Sequence, residues 1–142
     1  MKASDRQVGG DYYKQFAIEP TRFAHENNLP FIDGCIIKYV CRHSYKNGKE
    51  DLEKAIHYLE LLLEWDNNIY TLLDSLIKCI KKVSYVDKFK ISVDEFLAGN
   101  NIYMEESVII SYVCLRREVN GKEYIHKAIK QIKMLIEKEY GN

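Results

Sequence analysis

The sequence contains the same segment twice, displaced by 73 residues. Residues 16–65 align with residues 89–138 without a gap, and 19 of the 50 aligned pairs are identical. The identical stretches include Tyr-Val-Cys at 39–41 and 112–114, and Asn-Gly-Lys-Glu at 47–50 and 120–123. An ungapped match of this quality indicates an internal duplication. The fold must therefore build one arrangement of elements twice within 142 residues.

Each repeat is predicted to contain a short helix, a second helix, a tight turn and a long helix. Pro20 suits the first turn of the short helix, and Pro30 opens the next one. Asn47 and Gly48 then supply the positive-φ residue that ends the second helix and reverses the chain, and we expect the same of Gly121. The long helix has an apolar stripe at helical spacing, formed by Leu52, Ala55, Ile56, Leu59, Leu62 and Leu63.

The segment between the repeats also has helical periodicity. From residue 67 to residue 83, apolar side chains recur at spacings of three and four, at Ile69, Leu72, Leu73, Leu76, Ile77 and Ile80. This pattern predicts an amphipathic helix rather than a flexible tether. We expect the helix either to cover part of the core that the repeats share or to form an interface between copies of the chain.

Together these patterns predict an all-α fold, in which two tandem helical hairpins pack as a pseudo-dimeric bundle joined by the amphipathic helix. No stretch shows sustained strand alternation. The expected organisation is a first repeat with an N-terminal glycine arm at 1–66, a linker helix at 67–88 and a degenerate second repeat at 89–142. The first repeat is the candidate ligand-binding copy, and the second is the candidate architectural copy.

Composition and charge narrow the function classes. Twenty-one basic and twenty-one acidic side chains cancel. Proteins that bind nucleic-acid polymers usually carry a basic excess, so we do not expect such a partner. The N-terminus has no signal-like apolar segment and the chain has no run of about 18 apolar residues, so we expect no membrane partner and a cytoplasmic location. Cys41 and Cys114 fall at equivalent repeat positions inside apolar runs, which is typical of buried thiols.

The charged residues of the first hairpin are the ones that the second repeat lacks. Lys38, Arg42 and Asp51 correspond to Ser111, Leu115 and Tyr124. The candidates at the hairpin tip are Lys38, Arg42, His43, Lys46, Asp51 and Lys54. A hairpin brings these cations and one carboxylate to one end of the helix pair, which suits a phosphate with a polar group beside it. The alternative is a solvated charged tip without a ligand.

A second candidate lies in the N-terminal stretch Val-Gly-Gly-Asp-Tyr-Tyr-Lys at 8–14. The candidate ligand-binding residues there are Gly9, Gly10, Asp11, Tyr12, Tyr13 and Lys14. The glycines would let backbone N–H groups approach an anion, and the other side chains add polar and stacking groups. The alternative is an ordered arm packed on the bundle. The equivalent stretch before the second repeat has lost both glycines.

Metal ligation is not indicated. The side chains that could be imagined as zinc ligands are Cys35, Cys41, His43 and His57. They have neither the CxxC nor the HxxxH spacing that zinc sites use. We therefore expect no resident metal site.

The first repeat also resembles a known family. The motifs that carry the resemblance are Gly-Gly-Asp at 9–11, Tyr13, Glu-Pro at 19–20, Phe31, Gly34, Lys-Tyr at 38–39, Arg42, Lys-Asn-Gly at 46–48, Asp-Leu at 51–52 and Lys-Ala at 54–55. Residues 8–64 resemble a short SaV-like domain of unknown function, found in many bacteriophage and prophage proteins and described as nucleotide-kinase-like. Tyr12 stands where the family usually has His, and Cys35 stands where it usually has Asn.

The resemblance implies a protein that acts in the cytoplasm of an infected or lysogenic bacterial host and holds a nucleotide by its phosphates. The side chains expected to hold phosphate oxygens are Lys38, Arg42, His43 and Lys54. Asp51 would orient Lys54 or accept a hydrogen bond from the ligand. Tyr12 or Tyr13 would stack on the base.

Three function classes remain open. The first is a non-catalytic protein that sequesters a nucleotide or nucleotide-derived signal, in the manner of an anti-defence protein, and needs no cofactor. The second is a nucleoside-monophosphate kinase-like phosphotransferase that uses Mg²⁺. The third is a helical adaptor that binds a partner protein. The sequence shows no recognised phosphate loop and lacks the family's His and Asn, which favours binding over chemistry. A homo-oligomer is compatible with each class.

Overall fold

The computed structural model of the protein describes residues 2–66, 69–81, 84–118 and 120–141. In this part of the chain the α-helices are α1 (Pro20–Glu26), α2 (Phe31–Arg42), α3 (Lys49–Trp65), α4 (Ile69–Lys81), α5 (Val93–Gly99), α6 (Met104–Leu115) and α7 (Gly121–Tyr140). Short 3₁₀ turns occur at Ala3–Asp5, Tyr12–Gln15 and Val86–Lys88. Because every regular element in the described ranges is helical, the prediction of an all-α fold is confirmed.

The helix starts follow the local chemistry of the sequence. Pro20 occupies the first turn of α1, and Pro30 is the N-cap residue of α2. Glu50 and Asp51 place negative charge in the first turn of α3, where the helix dipole favours it. The side chain of Ser92 caps α5 by accepting a hydrogen bond from a backbone N–H group. These local signals fix the order and bounds of the helices.

The core lies between the two long hairpins. Helix α2 packs on α3, and α6 packs on α7; across the middle of the molecule α2 packs on α6 and α3 packs on α7. The second hairpin supplies buried side chains along both of its helices, namely Ile109, Ile110, Val113, Ala128, Ile129, Ile132 and Leu135. The apolar stripes predicted for the second repeat are therefore part of the shared core.

Two asparagines join the short helices to the opposite half of the chain. The Asn27 amide donates to the Ile91 carbonyl oxygen at 2.8 Å and accepts from the Ile91 N–H group at 3.1 Å. The Asn100 amide makes the same two bonds with Ile18, at 2.7 and 2.8 Å. Each amide thus satisfies one backbone donor and one backbone acceptor across the molecule.

Two further polar contacts join the α2 and α6 regions. Each runs from a residue just after one of these helices to a residue within the other. His43 Nε2 lies 2.7 Å from Glu106 Oε1. Arg116 donates to both carboxylate oxygens of Asp33, at 2.7 and 3.0 Å. These contacts are charge-assisted and partly buried, so they fix how the hairpins meet.

The turn before α7 differs from the expectation for Gly121. Gly48 has the predicted positive φ of 57° before α3. In the second repeat Asn120 has the left-handed conformation, with φ of 68°, and Gly121 is already the first residue of α7. Asparagine tolerates this conformation better than most residues. Glycine is required at position 121 for a steric reason instead, because a Cβ atom there would lie 1.9 Å from the Arg116 carbonyl oxygen.

Helix α4 forms between the repeats, but the apolar side chains that the structure describes on it, from Leu72 to Ile80, face solvent; the side chain of Ile69 lies outside the described part. Leu72 is 63%, Leu76 is 55% and Ile80 is 71% exposed. The expectation that these side chains cover part of the shared core is therefore wrong. Residues 67, 68, 82 and 83 of the predicted linker helix lie outside the described residues. No helix in the described ranges has the length and the apolar character needed to cross a membrane.

Candidate functional site

Arg42 and Asp51 form a bidentate ion pair across the turn of the first hairpin. Arg42 Nε donates to Asp51 Oδ2 at 2.9 Å, and Nη2 donates to Oδ1 at 3.1 Å. Asp51 is fully buried and also accepts a hydrogen bond from the Asn47 amide at 3.3 Å. Burial disfavours the guanidinium charge, but the bonds with Asp51 and Tyr13 raise the pKa of Arg42 above its ordinary value. Two residues predicted for the site are thus held together.

Three cations lie around the ring of Tyr39, which is half-buried. The ring centroid is 4.7 Å from Lys38 Nζ, 5.0 Å from Arg42 Cζ and 5.8 Å from Lys54 Nζ. On the long helix, Tyr58 stacks on Tyr39 at 6.0 Å between centroids. Cation–π contacts with the aromatic ring stabilise this local concentration of positive charge. We call Lys38, Tyr39, Arg42 and Lys54 the Tyr39 cluster.

Tyr12 places the N-terminal arm against the same tip. Its hydroxyl oxygen accepts from Arg42 Nη1 at 3.4 Å and from Lys46 Nζ at 3.3 Å. Lys46 Nζ also lies 5.3 Å from the Tyr12 ring centroid, and the rings of Tyr12 and Tyr13 are 4.3 Å apart. The arm and the hairpin, which the sequence nominated separately, therefore meet at one place.

The two neighbouring phenols have opposite pKa shifts. Burial opposes ionisation of Tyr12, but the hydrogen bonds with Lys46 and Tyr13 and the charges of Arg42 and Lys46 outweigh it, so the pKa of Tyr12 is lowered. Burial raises the pKa of Tyr13 to about 12, although Arg42 acts in the opposite direction. The surroundings of Tyr12 thus favour negative charge on an oxygen atom.

The glycines of the arm adopt conformations that other residues rarely use. Gly9 has φ of 81° and Gly10 has φ of 136°. They lead into the 3₁₀ turn at Tyr12–Gln15, where the Tyr13 N–H group donates to Gln7 Oε1 at 2.8 Å. The side chains of Asp11 and Lys14 are exposed. An ordered glycine turn at the tip is compatible with both interpretations of the arm.

His43 has a different setting from the other candidates. It is 3% exposed, and its ring nitrogens lie 2.7 Å from the Tyr140 hydroxyl and 2.7 Å from Glu106 Oε1. Both nitrogens are therefore engaged between the repeats. We conclude that His43 supports the hairpin from inside and leave it out of the phosphate-binding set.

Lys54 also has a partner other than the one expected. Its Nζ atom lies 3.0 Å from Glu50 Oε1, and the bond to Glu50 raises the pKa of Lys54. Asp51 is occupied by Arg42 and Asn47, so it neither orients Lys54 by direct contact nor reaches solvent. The role of Asp51 is to hold Arg42.

A groove between α1 and α2 was not identified from the sequence. Its volume is about 490 Å³, and its lining includes Leu29, Phe31, Cys35 and Lys38. Phe31 and Lys38 lie seven residues apart on α2 and so share a helix face, which is the signal that could have found the groove. Lys38 belongs both to this groove and to the Tyr39 cluster.

The second repeat provides an internal comparison. Tyr112 stands at the position of Tyr39, and Lys127 Nζ lies 5.9 Å from its ring centroid. Leu115 and Tyr124 replace the Arg42–Asp51 pair, and the Tyr112 and Tyr124 rings are 6.0 Å apart. One lysine and two aromatic rings therefore occupy a place where the first repeat has three cations.

Among the described residues, no group of three or more His, Cys, Asp or Glu side chains could hold a metal ion. The fold and the site define an all-α domain with a cationic hairpin tip beside an open groove. A family model described as a protein of unknown function (DUF3310) matches residues 10–60, which contain this tip and groove. No curated protein and no solved structure matches the chain.

Proposed function

We propose that the protein binds a small phosphorylated ligand, a nucleotide or a nucleotide derivative, at the tip of its first hairpin. The observation that carries this proposal is the convergence of Lys38, Arg42 and Lys54 on the Tyr39 ring. A phosphate group offers several anionic oxygens, which can accept charge-assisted hydrogen bonds from more than one cation. In the described part of the second repeat, Lys127 is the cation beside the equivalent Tyr112 ring, and Arg117 lies instead 4.9 Å from the Tyr85 ring centroid.

The three cations differ in how they pair with carboxylates of the protein. Arg42 is bound by buried Asp51, whereas Lys54 pairs with Glu50, which is itself exposed. A surface ion pair of this kind contributes little stability, so a phosphate can displace it. Lys38 has no carboxylate partner among the described residues and contacts the Tyr39 ring instead. Lys38 and Lys54 are thus available to a ligand, with Arg42 behind them.

Binding without chemistry is the leading form of the proposal. A phosphotransferase needs a group that holds Mg²⁺ or orients the nucleophile, and carboxylates commonly serve both purposes. At this tip Asp51 is fully buried under Arg42, and Glu50 pairs with Lys54. Sequestration of a nucleotide-derived signal requires only the cations, whereas the family resemblance implies a phage or prophage protein that is nucleotide-kinase-like. The phosphotransferase, with Mg²⁺, is the alternative.

We also propose that the repeats are related by an approximate two-fold axis. Helices α5 and α6 begin 73 residues after α1 and α2. Asn27 and Asn100 are equivalent positions in the two repeats, and so are Ile18 and Ile91. The hydrogen bonds of Asn27 with Ile91 and of Asn100 with Ile18 are therefore the same contact made in both directions. The second repeat would then stand where a single-repeat relative places a second subunit, since one short hairpin buries too little surface to be stable alone.

A second copy of the chain is the partner that we propose for α4. Five exposed apolar side chains lie along one side of this helix, namely Leu72, Leu73, Leu76, Ile77 and Ile80. A continuous apolar stripe of this kind on a soluble domain marks a site of association. The same stripe on two copies can pack against itself about a two-fold axis.

Calorimetric titration of the full chain with nucleoside mono-, di- and triphosphates, with and without Mg²⁺, tests the proposal. We expect binding, and we expect chromatography of the mixture to return the nucleotide intact. Turnover in the presence of Mg²⁺ would instead support the phosphotransferase. If no nucleotide and no inorganic polyphosphate binds, the phosphate site is wrong and the adaptor class remains.

A further inference from the structure

We propose that the groove between α1 and α2 holds the nucleoside half of the ligand whose phosphates lie at the Tyr39 cluster. This inference rests on the proposed function, because it assumes a phosphate bound beside Lys38. It adds a second subsite, with its own lining residues, that would bind an aromatic base and its sugar.

The groove and the Tyr39 cluster are continuous along α2. Phe31, Cys35 and Lys38 lie at helical spacing on one face of α2, and all three line the groove. From Phe31 to Lys38 the helix rises about 10 Å, at 1.5 Å per residue. That is about the length of a nucleoside with its 5′-phosphate. A nucleotide with its base near Phe31 would therefore bring its phosphates to Lys38 and the Tyr39 cluster.

The size and shape of the groove agree with this occupant. Its volume of about 490 Å³ falls within the range of small-ligand sites. Gly34 keeps the two helices close, because a Cβ atom there would already lie 3.2 Å from Ala24 Cβ. A larger residue at position 34 would force the helices apart or fill the groove. The close approach of α1 and α2 at this point therefore depends on the absence of a side chain at position 34.

The lining offers both stacking and hydrogen bonding. Phe31 is 80% exposed at the rim, so the fold does not use the free energy that burial of its ring would contribute. Exposed aromatic side chains can stack on nucleobases. Asn28 presents an amide at the groove from a backbone with φ of 52°, and His25 adds an imidazole. Amide and imidazole groups can bond to the edges of a base.

The second repeat differs at three of the equivalent positions, although Asn101 keeps the asparagine with φ of 52°. Met104 replaces Phe31, Ser111 replaces Lys38 and Ala98 replaces His25. Met104 is 79% exposed, so the two rim positions have nearly the same accessibility and differ in chemistry. The Phe31 ring, the imidazole and the cation are thus absent from the equivalent positions, whereas exposed Tyr103 stands at the position of Pro30.

The test compares nucleoside triphosphates of the four common bases with inorganic triphosphate, which has the phosphates and no nucleoside. Affinities are measured by calorimetry for the full chain, for Phe31→Ala and for the matched control Met104→Ala. We expect at least one nucleotide to bind more tightly than inorganic triphosphate. Phe31→Ala should weaken that nucleotide about tenfold, which is typical of one lost stacking contact, and should leave inorganic triphosphate unchanged.

A second variant tests base recognition separately. Asn28→Gly keeps the positive φ and removes the amide, and Asn101→Gly does the same in the second repeat, where φ is also 52°. We expect Asn28→Gly, and not Asn101→Gly, to change the order of preference among the four bases. An unchanged order, together with an unchanged affinity of Phe31→Ala, overturns the groove assignment.

The outcomes separate the two proposals. If inorganic triphosphate binds as tightly as every nucleotide, the phosphate site stands and the groove assignment fails. The groove assignment also fails if Phe31→Ala weakens nucleotide and inorganic triphosphate equally, because the effect is then not on the nucleoside. If neither probe binds the wild-type chain, both proposals fail.

Discussion

Arg42 and Asp51 are joined by two hydrogen bonds across the hairpin turn, at 2.9 and 3.1 Å. The second repeat has Leu115 and Tyr124 at these positions and still forms its hairpin. The ion pair is therefore not required for the architecture of a hairpin. Its presence in the first repeat fixes a guanidinium group beside Lys38 and Tyr39, while the Asp51 carboxylate balances its charge.

The first prediction concerns this pair. Asp51→Ala should destabilise the protein by about 3–5 kcal/mol, because it leaves a buried guanidinium group without its partner. The double variant R42L/D51Y, which copies the second repeat, should recover most of that loss. Chemical denaturation followed by circular dichroism measures both, with Glu50→Ala as the exposed control. A double variant as unstable as Asp51→Ala would contradict this account.

The second prediction concerns ligand affinity. Lys38→Ala should weaken binding of the best nucleotide by about 1.5–3 kcal/mol, the value of a hydrogen bond to a charged group. Arg42→Ala is a poorer test, since it leaves the Asp51 carboxylate buried and unpaired. Lys127→Ala, at the second tip, is the matched control and should change affinity much less. A larger effect from Lys127→Ala would place the ligand at the second repeat.

The third prediction concerns the titration of Tyr12 and Tyr13. Tyr12 should ionise below its ordinary pKa of 10.0, whereas Tyr13 should ionise at about 12. Because folding raises the pKa of Tyr13, that phenol stabilises the fold fully below pH 10 and loses this contribution as the pH rises towards about 12. Phenolate absorbance should show that Lys46→Gln moves the Tyr12 step upwards. Tyr12→Phe should remove the step, and its persistence would contradict the assignment.

The fourth prediction concerns the asparagine bridges. Asn27→Ala and Asn100→Ala should each cost about 1–3 kcal/mol, because each leaves a backbone donor and acceptor without partners. Asn27 is buried and Asn100 is half-buried, so the first variant should be the more damaging. Denaturation midpoints measure the two effects, and Asn101→Gly, at an exposed position with φ of 52°, is the comparison. A negligible loss in both variants would contradict the proposed two-fold exchange of contacts.

The fifth prediction concerns α4. Replacing Leu76 and Ile80 by Glu should shift the protein to a smaller species in light scattering after gel filtration, because charge opposes burial of the stripe. Exposed Met134 on α7 provides the control, and Met134→Glu should leave the mass unchanged. A wild-type protein that is monomeric at every protein concentration measured would contradict the proposed self-association.

The sequence by itself determined the helices and their order. Periodicity, prolines at helix starts and the Gly48 turn are local signals, and each acts within a few residues of the element that it specifies. Comparison of the two repeats also indicated the charged residues that lie together at the tip. Lys38, Arg42 and Asp51 are differences between two otherwise similar segments. Spacing along one helix and across one short turn was sufficient to place these three residues together.

The tertiary structure decided the points that depend on distant parts of the chain. The ring nitrogens of His43 contact Glu106 and Tyr140, which are 63 and 97 residues away in the sequence. No local sequence pattern predicts contacts over such separations. The groove beside Lys38 exists because α1 approaches α2, and the exposure of the α4 stripe follows from what the other helices leave uncovered. Periodicity shows which face of a helix is apolar, but only packing determines whether that face is covered, because burial is a property of the neighbours.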